Sequence, residues 1–275
     1  IQAKFVFHGK AAHAAHSPHL GRSALDAVEL MNVGVNYLRE HMPPSARVHY
    51  AVTDTGGLSP NVVQARAEVL YLIRAVDNAE AAELYQRVQN VARGAALMTD
   101  CRLDIVFDKA CSNLLPNTTL NQVLHARLLA EGPLTVEAEE HSRAGLFQGT
   151  LSASDIDAVS RPLASVLRGK VPAVFEGVAP FNPDLHEVLA GSTDVADVSW
   201  IAPTAQIWMA CYAFGTPMHS WQMVSQGQSS LAHAGMVRAA RVLAATAIEL
   251  IENPALIARA KAELLERRRG QPYVC

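Results

Sequence analysis

From Ile1 to about Asn117 the spacing of apolar residues switches between a period of two and a period of about 3.6, in an order that few folds admit. Ile1 to His8 alternates as a half-buried strand. A helix follows from about Ser23, whose Ser-Ala-Leu-Asp start resembles a capping box, with Leu25, Val28, Leu30, Met31, Val35 and Leu38 apolar. It ends before Pro43-Pro44. Arg47 to Thr53 and Val62 to Arg74 read as neighbouring strands around the turn-rich Thr55-Gly56-Gly57-Leu58-Ser59-Pro60-Asn61. Asn78 caps a second helix to about Thr99, and Arg102 to Lys109 alternates again. The order β-α-β-β-α-β is the ferredoxin-like split unit, which predicts a four-stranded antiparallel sheet with two helices on one face.

The remainder is less periodic. Thr118 or Thr119 caps a helix through about Glu131, and residues 133–190 are rich in loop signals, with short helices near Ser154 to Val159 and Pro183 to Ala190. Thr204 to Tyr212 reads as a strand. A helix rich in small residues runs from Ser229 to about Asn253, and Pro254 opens a last one to Arg269. At 275 residues, against roughly 150 per domain, two domains are expected, at 1–117 and 118–275.

Composition excludes several classes. Half the residues are hydrophobic and 18% are charged, unlike a disordered chain or a coiled coil. The formal net charge is −3 and no stretch is basic enough to track a phosphate backbone, so no nucleic-acid partner is expected. Apolar runs such as Val242 to Ile251 fall short of the roughly 20 residues a bilayer span needs, and no signal-peptide layout is present. The expectation is a soluble, cytoplasmic protein without membrane contact. The four cysteines form no Cys-x-x-Cys pair and read as structural thiols. Residue 1 is Ile and the first strand starts at once, so the chain reads as starting in mid-fold.

Few residue groups stand out chemically. His13-x-x-His16-x-x-His19 has the residue type of a metal cluster, but on a helix this spacing spreads the rings too widely, and Pro18 and Gly21 indicate a loop. His13, just after a strand, is the best placed of the three. His219, in Gly215-Thr216-Pro217-Met218-His219-Ser220-Trp221 after a predicted strand, could be a ligand, a base or a structural histidine. Asp194 and Asp197 read first as helix caps. Asn61 and Arg74 flank one strand. Arg74, among apolar residues, needs an anionic partner, either an internal carboxylate or a substrate's.

Gly9-Lys10-Ala11-Ala12-His13-Ala14-Ala15, Pro60-Asn61-Val62-Val63, Arg74, Gly191-Ser192-Thr193-Asp194-Val195 and the His219 segment, in this order along the whole chain, resemble the M20 family of metal-dependent peptidases and amidohydrolases. The resemblance implies an α/β protein. Residues 1–117 would be a ferredoxin-like lid that dimerises, and 118–275 the C-terminal part of a metallopeptidase catalytic domain. It implies two divalent metal ions, zinc or manganese, in the full-length protein. His219 would match a metal-binding histidine. His13 would match the lid histidine that stabilises the oxyanion, in many members at the partner subunit's centre, and Asn61 and Arg74 the lid positions that hold a substrate carboxylate or carbonyl.

The match is partial. The family's His-x-Asp, bridging Asp and Glu-Glu pair precede the lid and do not occur here, and Glu139-Glu140 lies on the wrong side of the lid to serve. The metal site is therefore expected to be incomplete in this chain. The resemblance implies the C-terminal portion of an amidohydrolase acting on an N-acyl amino acid, such as an aminobenzoyl-glutamate. It would work as a homodimer through the lid or with a related second subunit. The rival reading is a non-catalytic dimerisation or regulatory module, or a truncated gene product.

Overall fold

Each strand of the first part finds its partner in one antiparallel sheet, ordered β2-β3-β1-β4. The computed structural model describes residues 1–183 and 191–274. They fall into two compact units, one of 1–114 with 191–200 and 273–274, the other of 115–183 with 201–272.

The first unit contains β1 (Gln2–His8), α1 (Ala24–Leu38), β2 (Arg47–Asp54), β3 (Arg66–Arg74), α2 (Asn78–Thr99) and β4 (Arg102–Lys109). In the central strand β1, Phe5 lies opposite Val69 of β3 and Ile105 of β4. The period of two puts Ala3, Phe5 and Phe7 on the same face as Ala67, Val69, Tyr71 and Ile73, and all seven are fully buried. That face packs on Ala27, Val28, Met31 and Val35 of α1 and on Leu84, Val88 and Ala92 of α2. The helices approach each other closely at Gly34, where an added Cβ would stand 2.6 Å from Cγ1 of Val91. Inside the core the Tyr71 hydroxyl donates to Oδ1 of Asn32 at 2.6 Å, and burial, then the neighbouring Tyr50, push its pKa up.

Two predicted boundaries move. The strand expected from Val62 begins at Arg66, because the groups just before it bond to a distant loop rather than to the ladder: Val63 N–H donates to Ala12 C=O at 2.9 Å and Gly9 N–H to Ala65 C=O at 2.8 Å. The cap of α2 is Asp77, one residue before the expected Asn78, and its carboxylate accepts the Glu80 N–H at 2.9 Å.

The later helices are α3 (Thr118–Glu131), α4 (Ala138–Gln148), α5 (Ala153–Ser160), α6 (Ala164–Leu167), α7 (Val195–Ile201), α8 (Trp221–Gln226), α9 (Ser230–Glu252) and α10 (Pro254–Arg268). In the second unit a small core gathers Leu134, Ala144, Val174, Ala213 and Leu231. The cap of α3 is Asn117, not Thr118 or Thr119. Helix α4 occupies a stretch expected to be loop. The short helix expected at Pro183 to Ala190 lies, beyond Pro183, outside the described residues.

The strand expected at Thr204 to Tyr212 does not form, since no neighbour among the described residues offers it a ladder. The segment lies against α9 instead. An added Cβ at Gly235 would stand 2.4 Å from the Ala210 carbonyl oxygen and 2.6 Å from Sγ of Cys211. No helix among the described residues is long and apolar enough to cross a membrane.

Candidate functional site

The loop after β1 is pinned at its base by a two-way pair, Lys10 N–H to Arg22 C=O at 2.8 Å and Arg22 N–H to Lys10 C=O at 2.9 Å. Only glycine fits at position 9, because a Cβ there would lie 2.0 Å from the Arg22 carbonyl oxygen. The Arg22 side chain holds the loop further, with Nη1 donating to Gly21 C=O at 2.7 Å and Nε to Oδ2 of Asp100 at 3.1 Å, just past α2.

Asn61 belongs to the same cluster. Its carbonyl accepts the Ala14 N–H at 2.9 Å, and the neighbouring residues His13 and Val62 form an antiparallel bridge. His13 and Asn61, far apart in sequence, are thus brought together by backbone bonds. Both are exposed.

Nδ1 of His13 accepts the N–H groups of Ala15 at 3.2 Å and His16 at 3.1 Å. An acceptor nitrogen carries no proton, so the neutral ring holds its proton on Nε2, as a donor. The His16 ring stands edge-on to it with centroids 6.3 Å apart. Together with His19 these rings form no group of three ligands.

Arg74 is not part of this cluster. His8, next to Gly9, pairs with Arg66 at the start of β3, while Arg74 ends that strand eight residue steps away, roughly 26 Å at about 3.3 Å per residue. There its Nη1 donates to Oγ of Ser192 at 3.1 Å. Ser192 is a contact that sequence reasoning missed, although it stands in the quoted Gly191-Ser192-Thr193-Asp194-Val195 segment. Of the acids expected as caps, Asp197 accepts the Ser112 N–H at 3.0 Å, and Asp194 is exposed.

His219 lies in the second unit, exposed, with φ of 60°. A non-glycine residue in this left-handed region is uncommon and concentrates at functional turns. The turn is fixed by Ser220, whose hydroxyl donates to Pro217 C=O at 2.7 Å and accepts the Met223 N–H at 3.2 Å as the cap of α8.

No group of three or more His, Cys, Asp or Glu side chains among the described residues is arranged to hold a metal ion. Glu139 and Glu140 both pair with Arg143. A dinuclear centre needs several carboxylates and imidazoles, and the described residues do not fit one by themselves.

Residues 1–99 match the peptidase dimerisation domain. Over 284 aligned residues the chain is 47% identical to a subunit of p-aminobenzoyl-glutamate hydrolase from Escherichia coli (strain K12), covering 100% of this chain and 59% of that protein. It is 28% identical to Xaa-Arg dipeptidase of Mus musculus, over 91% of this chain and 48% of that one. The chain therefore spans 48% to 59% of the length of these curated relatives. Among solved structures, an aminobenzoyl-glutamate utilization protein from Klebsiella pneumoniae aligns with a TM-score of 0.40 and 26% identity, over 46% of this chain and 32% of that one. Residues 1–99 are an M20 peptidase dimerisation domain, and the chain that carries it has M20 amidohydrolases and peptidases as its relatives.

Proposed function

We propose that this chain is the lid and the C-terminal catalytic portion, residues 1–117 and 118–275, of a metal-dependent amidohydrolase. It would cleave the amide bond of an N-acyl amino acid such as p-aminobenzoyl-glutamate, in the cytoplasm. The observation that carries this reading is Nδ1 of His13 accepting two backbone N–H groups, which leaves Nε2 as the donor of the neutral ring. A neutral imidazole donor, fixed before reaction, suits the negative charge that grows on an amide oxygen during attack. Asn61 stands beside it as a second polar group for the substrate. Arg74, with its planar fork, binds a carboxylate.

Arg74 ends β3 eight residue steps, roughly 26 Å along the backbone, from Arg66, the partner of His8. With the His13 cluster and Arg74 towards opposite ends of that strand, one chain would supply His13 and Asn61 to one substrate molecule and Arg74 to another, in a pair of copies. The edge strand β2 and the outer side of α1 expose Val33, Tyr37, Tyr50 and Val52, apolar groups suited to such pairing. In the complete enzyme His219 would be one ligand of two divalent ions, zinc or manganese. The other ligands come from outside the described residues.

The experiment fuses this chain to the part of the Escherichia coli relative outside the matched region and follows release of p-aminobenzoate with added zinc or manganese. The fusion should turn over, and the 275-residue chain alone should not. Turnover by the chain alone, or an active fusion indifferent to His13→Ala, overturns the reading.

A further inference from the structure

Helix α2 ends on a residue that its local surroundings disfavour. Asp100 follows the last helical turn with φ of 53°, in the left-handed region that usually takes glycine or asparagine. The turn is closed by the Cys101 N–H, which donates to Ala96 C=O at 3.0 Å. The Asp100 carboxylate also stands at the negative end of a 22-residue helix, where an acid is unfavourable. Glycine would meet neither cost. A residue kept against two local preferences calls for a contact that only its side chain makes.

That contact is Arg22. Its Nε donates to Oδ2 of Asp100 at 3.1 Å, while its Nη1 reaches two backbone carbonyls, Gly21 at 2.7 Å and His19 at 3.3 Å. From there backbone bonds run to His13. Leu20 N–H donates to Ser17 C=O at 3.1 Å, and Ser17 N–H to His13 C=O at 3.0 Å. The loop is packed closely along this path, since a Cβ at Gly21 would stand 2.9 Å from Cγ2 of Val63 and 3.1 Å from Cβ of Ala12. Lysine could not replace Arg22, because an ammonium has no planar fork to hold a carboxylate and carbonyls at once.

We propose that Asp100 is a positioning residue for His13, acting through Arg22. It holds the far limb of the 10–22 loop, so that Nδ1 of His13 stays on the Ala15 and His16 N–H groups. This role presupposes that His13 is the oxyanion donor proposed above. Asp100 and Arg22 are both exposed, so their pairing changes loop opening by a few-fold and does not decide whether the chain folds.

The test reads amide hydrogen exchange in the intact 275-residue chain. In Asp100→Gly the N–H groups of Ala15, His16 and Ser17 should exchange about threefold faster, while those of α2 and β1 are unchanged or slower. The urea midpoint should hold or rise, because the left-handed turn now suits its residue. Nitrogen-15 spectra should show part of the His13 rings in the Nδ1–H form. Arg22→Lys should loosen the same three groups, whereas Asp100→Asn, which accepts from Arg22 and tolerates the turn, should keep them protected. In the fusion enzyme Asp100→Gly should lower kcat about threefold with KM unchanged. Unchanged exchange at the three groups, an equal acceleration throughout the chain, or loosened exchange with unchanged kcat overturns the proposal. A fusion with no substitution and no turnover overturns the reading of His13 itself, and this role with it.

Discussion

The backbone N–H of His16 points at Nδ1 of His13 across 3.1 Å, so the turn after His13 decides which ring nitrogen carries the proton. Nitrogen-15 spectra of the neutral protein should report His13 as the Nε2–H tautomer. In the fusion enzyme, His13→Ala should lower kcat and kcat/KM together by about 10²–10³-fold, the cost of losing one oxyanion donor.

Arg74 should behave differently. A group gripping a remote carboxylate acts on ground state and transition state alike, so Arg74→Ala should chiefly raise KM, and Arg74→Lys should not restore it without the planar fork. Mixing His13→Ala with Arg74→Ala protein should recover part of the activity, because one of two hybrid sites then has both groups. Steady-state assays before and after subunit exchange check this, and no recovery despite proven exchange would count against two-copy sites.

Tyr71→Phe keeps the shape of the core but leaves Oδ1 of Asn32 buried without its donor. The expected loss is about 1–3 kcal/mol, read as a lower urea midpoint with an unchanged slope.

Glu263 of α10 makes the second unit acid-sensitive. Its carboxylate accepts the N–H groups of Thr118 at 2.7 Å and Thr119 at 2.9 Å, at the open N-terminus of α3, and also Nε of Arg267. Burial pushes its pKa up, but the Thr119 and Thr118 donors and Arg267 outweigh burial and hold it at about 2, below the ordinary 4.5. The folded value lies below the unfolded one. Its stabilisation is therefore complete above pH 4.5 and lost as pH falls from there toward 2. Glu263→Gln should cost about 1.5–3 kcal/mol at pH 7, and the gap between the two proteins should close across that window in thermal unfolding.

The first unit was legible because its core faces are written locally, in alternation such as Ala3, Phe5, Phe7 and in the helical spacing of Val28, Met31 and Val35. What escaped was non-local. Val62 to Ala65 read as the start of a strand, yet the partners of Val63 and Ala65 lie in the loop from Gly9 to Ala12, which no periodicity reveals. Thr204 to Tyr212 has strand composition, but composition cannot supply a neighbour to pair with. Helix α4 has few apolar positions and carries Gly145, so its signal was weak. The residue types at His13, Asn61, Arg74 and His219 were evident. The pairing of the first two, the distance of the third and the left-handed backbone of the fourth needed coordinates.

The length of β3 also bears on how the protein would respond to dilution. If each working site borrows from two chains, the reaction is first order in dimers and not in chains. Specific activity would then be constant at high concentration and fall in proportion to concentration once monomers dominate. A rigid strand would thus set the kinetic order in enzyme, tying turnover to how much of the protein a cell keeps.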